Sequence, residues 1–144
     1  MNTADIKAAP AAVSTRTVWA RGAVAALVAA VVNVIVAIAA TAVFNLDSRF
    51  IGLKPVAVIA ATLITMLVGT GVFLLIRRFA ARPERIFAII ASVVAVLSVA
   101  SPLSLLGASQ ATQPGVSDTA ALCLIPLHLI PAVVLLAALT RRKA

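Results

Sequence analysis

The sequence predicts an all-α fold, a four-helix transmembrane bundle with both termini on the cytoplasmic side. The 144-residue chain is 63% hydrophobic and only 11% charged, whereas soluble domains are about 45–50% apolar and about 25% charged. Four charge-free apolar runs are each long enough to cross a bilayer, which takes about 20 residues. The basic residues cluster between those runs, a pattern that indicates membrane orientation rather than a nucleic-acid partner.

The four predicted spans cover residues 22–44, 55–76, 86–106 and 119–140. Backbone groups in hydrocarbon must form hydrogen bonds within their own segment, so runs of this length are expected to be helices. The membrane domain therefore covers residues 21–142. It lies between an N-terminal tail of residues 1–20, expected to be disordered because it is small and polar, and a C-terminal tail of residues 143–144.

The distribution of basic residues predicts the direction of the spans. Ten of the twelve Lys and Arg residues lie before the first span, after the fourth span, or in the connection between the second and third spans. Only Arg49 and Lys54 lie on the opposite side. By the positive-inside rule, both termini are cytoplasmic and the protein is a multi-pass component of a bacterial plasma membrane.

Four arginines in the connection between the second and third spans carry a second expectation. We refer to Arg77, Arg78, Arg82 and Arg85 as the arginine cluster. Besides setting orientation, these side chains are candidates for contacts with anionic lipid headgroups.

The first span has an alternative interpretation as a cleaved signal peptide, because Ala39–Ala42 offers a small-residue cleavage motif. The apolar run exceeds the usual 7–15 residues of a signal core, however, and a long tail precedes it. A retained transmembrane helix is therefore favoured.

Each predicted span carries a row of small residues at helical spacing, through which we expect the helices to pack closely. The rows are Ala23, Ala26, Ala30, Asn33, Ala37 and Thr41 in the first span; Ala57, Ala61, Thr65 and Gly69 in the second; Ala88, Ala91, Ala95, Ser98 and Pro102 in the third; and Ala121, His128 and Ala132 in the fourth.

The rows contain four polar residues at similar depth, which form a candidate intramembrane polar cluster: Asn33, Thr65, Ser98 and His128. An unpaired amide or imidazole in hydrocarbon costs about 2–7 kcal/mol, so these groups should point inward and find partners. Pro131 lacks an N–H and frees the carbonyl of Leu127. Pro126 does the same for Leu122, so the fourth span offers two extra acceptors.

His128, the single histidine, has two interpretations. In the functional one it titrates within the membrane, positioned by Asn33 or Thr65. In the structural one it is a neutral ring that donates one hydrogen bond and accepts another across the bundle. We favour the structural interpretation, because the spans contain no Asp, Glu, Lys or Arg that could pair with it.

Signatures of catalysis are lacking in the sequence. It has no paired-carboxylate site, no Ser/His/Asp set, no HExxH motif and no phosphate-binding glycine loop. One cysteine, Cys123, and one histidine cannot form an internal disulfide or a multi-ligand metal site within a chain. We therefore expect no enzymatic activity, no metal and no cofactor.

Four segments resemble a known family: VVNVIV, KPVAVIAATLITMLVGTGV, FAIIASVVAVLSVASPLSL and LHLIPAVVLLAALTRR. The chain is similar over about Arg21 to Arg142 to small, uncharacterised four-span membrane proteins of high-GC Gram-positive bacteria, classed as a domain of unknown function. Asn33 and the His128-Leu129 pair carry the resemblance most specifically, although Leu127 stands where the family is expected to have Met. The resemblance implies four helices and an envelope location, and it assigns no catalytic residues.

These observations together predict a non-enzymatic structural or accessory membrane component. Its expected partners are the lipid bilayer and other membrane proteins or further copies of the chain. The alternative is a small oligomeric transporter or channel that uses His128 and Asn33 as an intramembrane polar site.

Overall fold

A computed structural model describes residues 13–140 of the protein, and all regular secondary structure in that part is helical. The elements are α1 (Thr15–Phe44), a 3₁₀ turn (Ile51–Leu53), α2 (Pro55–Phe79), α3 (Pro83–Ser98), the short α4 (Ala100–Leu103) and α5 (Asp118–Thr140). Four helical stretches are long and apolar enough to span a membrane. They are Thr15–Phe44, Pro55–Phe79, Pro83–Leu103 and Asp118–Thr140.

Local sequence explains where these helices begin and end. Pro55 and Pro83 occupy the first turns of α2 and α3, where a missing N–H costs nothing. Asn45 ends α1 in the left-handed conformation with φ of 49°, which asparagine tolerates better than most residues. The break between α3 and α4 at Val99 precedes Pro102, which has no N–H to donate to the carbonyl of Ser98.

The N-terminal part of the chain corrects one expectation. Residues 15–20 were predicted to belong to a disordered tail, but α1 begins at Thr15. The side chain of Ser14 accepts a hydrogen bond from the backbone N–H of Thr17 at 3.1 Å and so caps the helix. Arg77 also donates a hydrogen bond to the carbonyl of Val13 at 2.6 Å. Residues 1–12 and the tail 143–144 lie outside the described residues.

Helix α1 lies at the centre of the fold. Its contacts with α2 and with α5 are the two most extensive between any pair of helices. Its buried face is almost entirely small: Gly22, Ala25, Ala26, Ala29, Ala30, Asn33 and Ala37. A Cβ atom added at Gly22 would collide with the side chain of Thr70, so α1 and α2 approach closely there. The row predicted for the first span is thus largely buried, with Ala23 as an exposed exception.

Helix α3 is peripheral and packs against α5 and α2. Phe87 is its single buried residue. The ring of Phe87 packs edge-to-face on Phe73 of α2, with centroids 5.0 Å apart and an interplanar angle of 68°. Beyond this contact α2 and α3 leave space between them, as described below.

Two apolar clusters form the core. The first joins residues near the start of α1 and the end of α5, among them Val18, Met66, Phe73 and Leu139. The second joins the opposite ends of these helices with the connecting loops, around Phe50. Asn33 belongs to neither cluster and lies along α1 between them.

Candidate functional site

A buried polar contact between α1, α2 and α5 centres on Asn33. Its Nδ2 donates to Thr62 Oγ1 at 3.0 Å and to the carbonyl oxygen of Leu127 at 3.0 Å. That carbonyl is available because Pro131, four residues later, has no N–H to donate to it. One amide group therefore joins three helices. Thr62 was missed by the sequence analysis, which selected Thr65 on the neighbouring side of α2.

The oxygen of the same amide is left without a partner. Asn33 is 1% exposed, and its Oδ1 has no hydrogen-bond partner within the described residues. The assignment of nitrogen and oxygen follows from chemistry, since the Leu127 carbonyl can only accept and must face Nδ2. An unsatisfied buried acceptor costs about 1–3 kcal/mol, so this oxygen marks a place where a donor would stabilise the protein.

His128 does not share this contact. Its Nδ1 lies 2.9 Å from the carbonyl oxygen of Leu124, one turn earlier in α5. A carbonyl oxygen can only accept, so Nδ1 carries a proton, and Nε2 is an acceptor in the tautomer that has this single proton. The partner of His128 is thus neither Asn33 nor one of the carbonyls freed by the prolines.

A cavity of about 830 Å³ lies beside these groups. Residues of α2, α3 and α5 form its walls, and Ile51 and Gly52 of the 3₁₀ turn line it as well. Several wall residues are exposed on the surface of the protein, including Ile64 of α2 and Val94 of α3. The cavity is therefore a lateral groove between α2 and α3, and we call it the lateral cavity.

The lateral cavity corrects the expected role of three small-residue rows. The rows of α2, α3 and α5 were predicted to pack helix against helix. Gly69 does so, since a Cβ there would lie 2.5 Å from Leu135 of α5, and Ala91 packs against the first core cluster. Most members of the rows also line the cavity: Ala57, Ala61, Thr65 and Gly69, then Ala91, Ala95 and Ser98, then His128 and Ala132. The face of α2 that is buried is the adjacent one, with Val58, Thr62, Met66, Thr70 and Phe73. Small side chains on facing walls leave the space open.

All four residues of the predicted polar cluster line the lateral cavity, but they are not joined to one another by hydrogen bonds. Ser98 Oγ donates to the carbonyl of Ala95 at 2.7 Å. Thr65 is exposed to the cavity. The four residues thus lie on the surface of one cavity but do not form a hydrogen-bond network. Their functional role stays a prediction.

His128 is the one titratable side chain in the described lining of the lateral cavity. In the part of the chain that the structure describes, no Asp, Glu, Lys or Arg lines it, and no group of three or more potential metal ligands occurs. Its polar atoms come from amide, imidazole and hydroxyl groups. Such a surface favours an uncharged occupant, because a charge in an apolar site without a partner is strongly disfavoured.

The arginine cluster lies at the end of α2 and the start of α3, away from the cavity. Arg77 is bound to the Val13 carbonyl, and the guanidinium of Arg78 stacks over the ring of Phe79 at 5.9 Å. Arg82 and Arg85 are exposed. Contacts with lipid headgroups remain a prediction for all four.

The loops at the opposite end are tied to the helices. Gly115, with φ of 80°, lies against the backbone of Phe50. Its N–H donates to Gln110 Oε1 at 2.8 Å, and Gln110 Nε2 donates to the carbonyl of Val116. Within the shorter loop, Arg49 and Asp47 form an ion pair at 2.7 Å. Hydrogen bonds from the Arg49 side chain, then from its backbone N–H, lower the pKa of Asp47.

Comparison with known proteins identifies a family and no characterised relative. No curated protein and no solved structure matches the chain. Residues 13–144 match a family described as a family of unknown function, DUF6069. The match confirms the expected domain of unknown function, and the bacterial lineage stays a prediction. The chain, with its four apolar helices, belongs to the DUF6069 family of unknown function.

Proposed function

We propose that this protein is a non-enzymatic component of a bacterial plasma membrane that acts by holding a lipid-soluble molecule in its lateral cavity. The observation that carries the proposal is the cavity itself. Its volume of about 830 Å³ lies within the range of about 300–1,000 Å³ that is typical of small-molecule sites. Its walls are apolar, with a few polar groups that can orient an occupant.

The position of the opening supports access from the bilayer. Ile64 and Val68 of α2 and Ile90 and Val94 of α3 are exposed at the cavity. Exposed aliphatic side chains are favourable in contact with lipid tails. A molecule dissolved in the membrane can therefore reach the cavity between these helices without crossing water.

We place both termini in the cytoplasm, with the arginine cluster at the inner surface. The excess of basic residues at that end supports this orientation. A reporter that is active only outside the cytoplasm should be active when inserted in the 108–113 loop and inactive when fused after residue 144. Activity of the C-terminal fusion would reverse the orientation.

Photo-crosslinking in native membranes tests the proposed function. A diazirine amino acid at Ile64 or Val94 probes the cavity, while Leu27 and Val31 on α1 are matched controls. The pairs are equally exposed, at 63% for Ile64 and Leu27, and at 57% and 59% for Val94 and Val31. We expect the cavity positions to form an adduct with a small set of lipid-sized molecules that the controls do not capture.

Two other outcomes would contradict the proposal. Identical adducts at the cavity and control positions would mean that the cavity holds only bulk lipid. A protein-sized adduct, of another membrane protein or of a second copy, would instead support an accessory subunit that packs against a partner helix, which is the role expected from the sequence.

A small oligomeric transporter or channel is the second candidate function. One observation favours it, since both Asn33 and His128 line the same cavity. This candidate predicts a pH-dependent flux in proteoliposomes. His128→Ala should abolish that flux, and the circular dichroism of the variant should stay unchanged.

A further inference from the structure

The polar atoms that the protein leaves unused at the lateral cavity are mainly acceptors; the exposed hydroxyl of Thr65 can donate as well as accept. His128 uses Nδ1 as its donor to the carbonyl of Leu124, so Nε2 has a free lone pair in the tautomer that this contact favours. Asn33 commits both hydrogens of Nδ2 to Thr62 and Leu127, so only Oδ1 is left. Ser98 donates its hydroxyl hydrogen to the carbonyl of Ala95 and retains its lone pairs.

This pattern selects the chemistry of an occupant. A carboxylate, a ketone or a quinone presents only acceptors. It could accept from the Thr65 hydroxyl, but it would leave Nε2 and Oδ1 without a hydrogen. An ammonium group carries donors, but the lining offers it no counter-charge in the described part of the chain. A hydroxyl group supplies the missing hydrogen and is neutral.

We infer that the lateral cavity binds an uncharged, largely apolar alcohol, a long-chain or polycyclic lipid whose hydroxyl donates to His128 Nε2, with Asn33 Oδ1 as the deeper acceptor. The inference rests on the proposed function, since it specifies the molecule that the cavity holds. His128 is half-buried and open to the cavity. Asn33 also lines the cavity, but its Oδ1 has almost no accessible surface, so a hydroxyl reaches it only if neighbouring side chains move.

The test compares two probes that differ in the hydroxyl donor and in one methyl group. The purified full-length protein, in lipid nanodiscs, is exposed to a diazirine-bearing sixteen-carbon alcohol or to the methyl ether of the same molecule. Labelled peptides are quantified by mass spectrometry. The hydroxyl contributes one hydrogen bond to a neutral acceptor, so we expect the alcohol to label α2, α3 and α5 at the cavity about fivefold more than the ether, which is about 1 kcal/mol at 1.4 kcal/mol per tenfold.

Two variants assign the preference to its acceptor. His128→Phe removes Nε2 and keeps an aromatic ring, so the preference for the alcohol should fall to about onefold while labelling by the ether is unchanged. Thr41→Val is the matched control, because Thr41 Oγ1 is bound to the carbonyl of Ala37 and Thr41 does not line the cavity. It should keep the full preference. Asn33→Leu should reduce the preference by a smaller factor, and its helical content is checked separately.

The outcomes separate this inference from the proposed function. If alcohol and ether label the cavity equally, and both label it more than the exposed face of α1, the inferred preference for an alcohol is wrong. The proposed binding function would then still be supported. Cavity labelling no higher than that of α1 for both probes would overturn both. A preference that survives His128→Phe would overturn the assigned acceptor.

Discussion

Replacement of Thr62 by valine tests the buried contact that joins α1, α2 and α5. Valine has the same shape as threonine, so the change removes the acceptor of one Asn33 hydrogen bond without opening a cavity. A side-chain hydrogen bond between membrane helices contributes about 0.6 kcal/mol on average and up to about 1.7. The substitution also leaves one N–H of Asn33 unpaired. Because Asn33 is only 1% exposed, this buried donor can add a desolvation cost of about 1–3 kcal/mol.

We therefore expect Thr62→Val to lower the free energy of unfolding by about 1–2 kcal/mol, a factor of about 5–30 in the ratio of folded to unfolded protein. Equilibrium unfolding in mixed micelles with increasing SDS, followed by far-UV circular dichroism, measures the change. Thr65→Val is the matched control on the same helix. Thr65 is exposed to the lateral cavity, and its loss should stay within about 0.5 kcal/mol, as for other exposed sites.

A double-mutant cycle isolates the interaction itself. In an Asn33→Leu background there is no amide for Thr62 to accept from, so Thr62→Val should then cost almost nothing. An undiminished cost in that background, or equal costs for Thr62→Val and Thr65→Val, would refute the reasoning.

The loops yield two further predictions. Gly115→Ala should destabilise the protein by about 1–3 kcal/mol more than Gly107→Ala in the same unfolding assay. Both glycines have positive φ, but a Cβ at Gly115 would lie 2.5 Å from the Phe50 nitrogen while one at Gly107 meets no atom within 4 Å; equal losses would contradict the close approach. Arg49→Gln should raise the pKa of Asp47 towards its ordinary value in a carboxyl NMR titration, because it removes the charged guanidinium whose hydrogen bonds are the largest cause of the lowered pKa. In the unsubstituted protein, the stabilising Asp47–Arg49 pairing is present above the pKa of Asp47 in the unfolded chain and is lost as pH falls through its lower pKa in the folded protein. An unchanged titration of the variant would mean that the ion pair does not form.

The number, type and approximate bounds of the long helices follow from length and hydropathy alone. In hydrocarbon the backbone has no other way to satisfy its polar groups, so an apolar run of about 20 residues becomes helical whatever its neighbours are. The start of α1 is set by the N-cap at Ser14, which is a weaker and more local sequence signal than hydropathy. That is why the predicted boundary fell several residues too late.

The carbonyl of Leu127 was also foreseeable from the sequence. A proline inside a helix always frees the carbonyl four residues earlier, and the structure pairs that carbonyl with Asn33. The depth of Asn33 in its span indicated a buried amide for the same reason, because an exposed amide is disfavoured by lipid.

Which face of each helix points inward was decided only by the tertiary structure. In water, polarity distinguishes the outer face of a helix, but in lipid both faces are apolar and small residues occur on more than one of them. The sequence therefore could not choose between Thr62, which is buried against Asn33, and Thr65, which opens onto the lateral cavity. The cavity exists because small-residue faces of α2, α3 and α5 meet around an unfilled space, and only the packing of three helices together shows such a space.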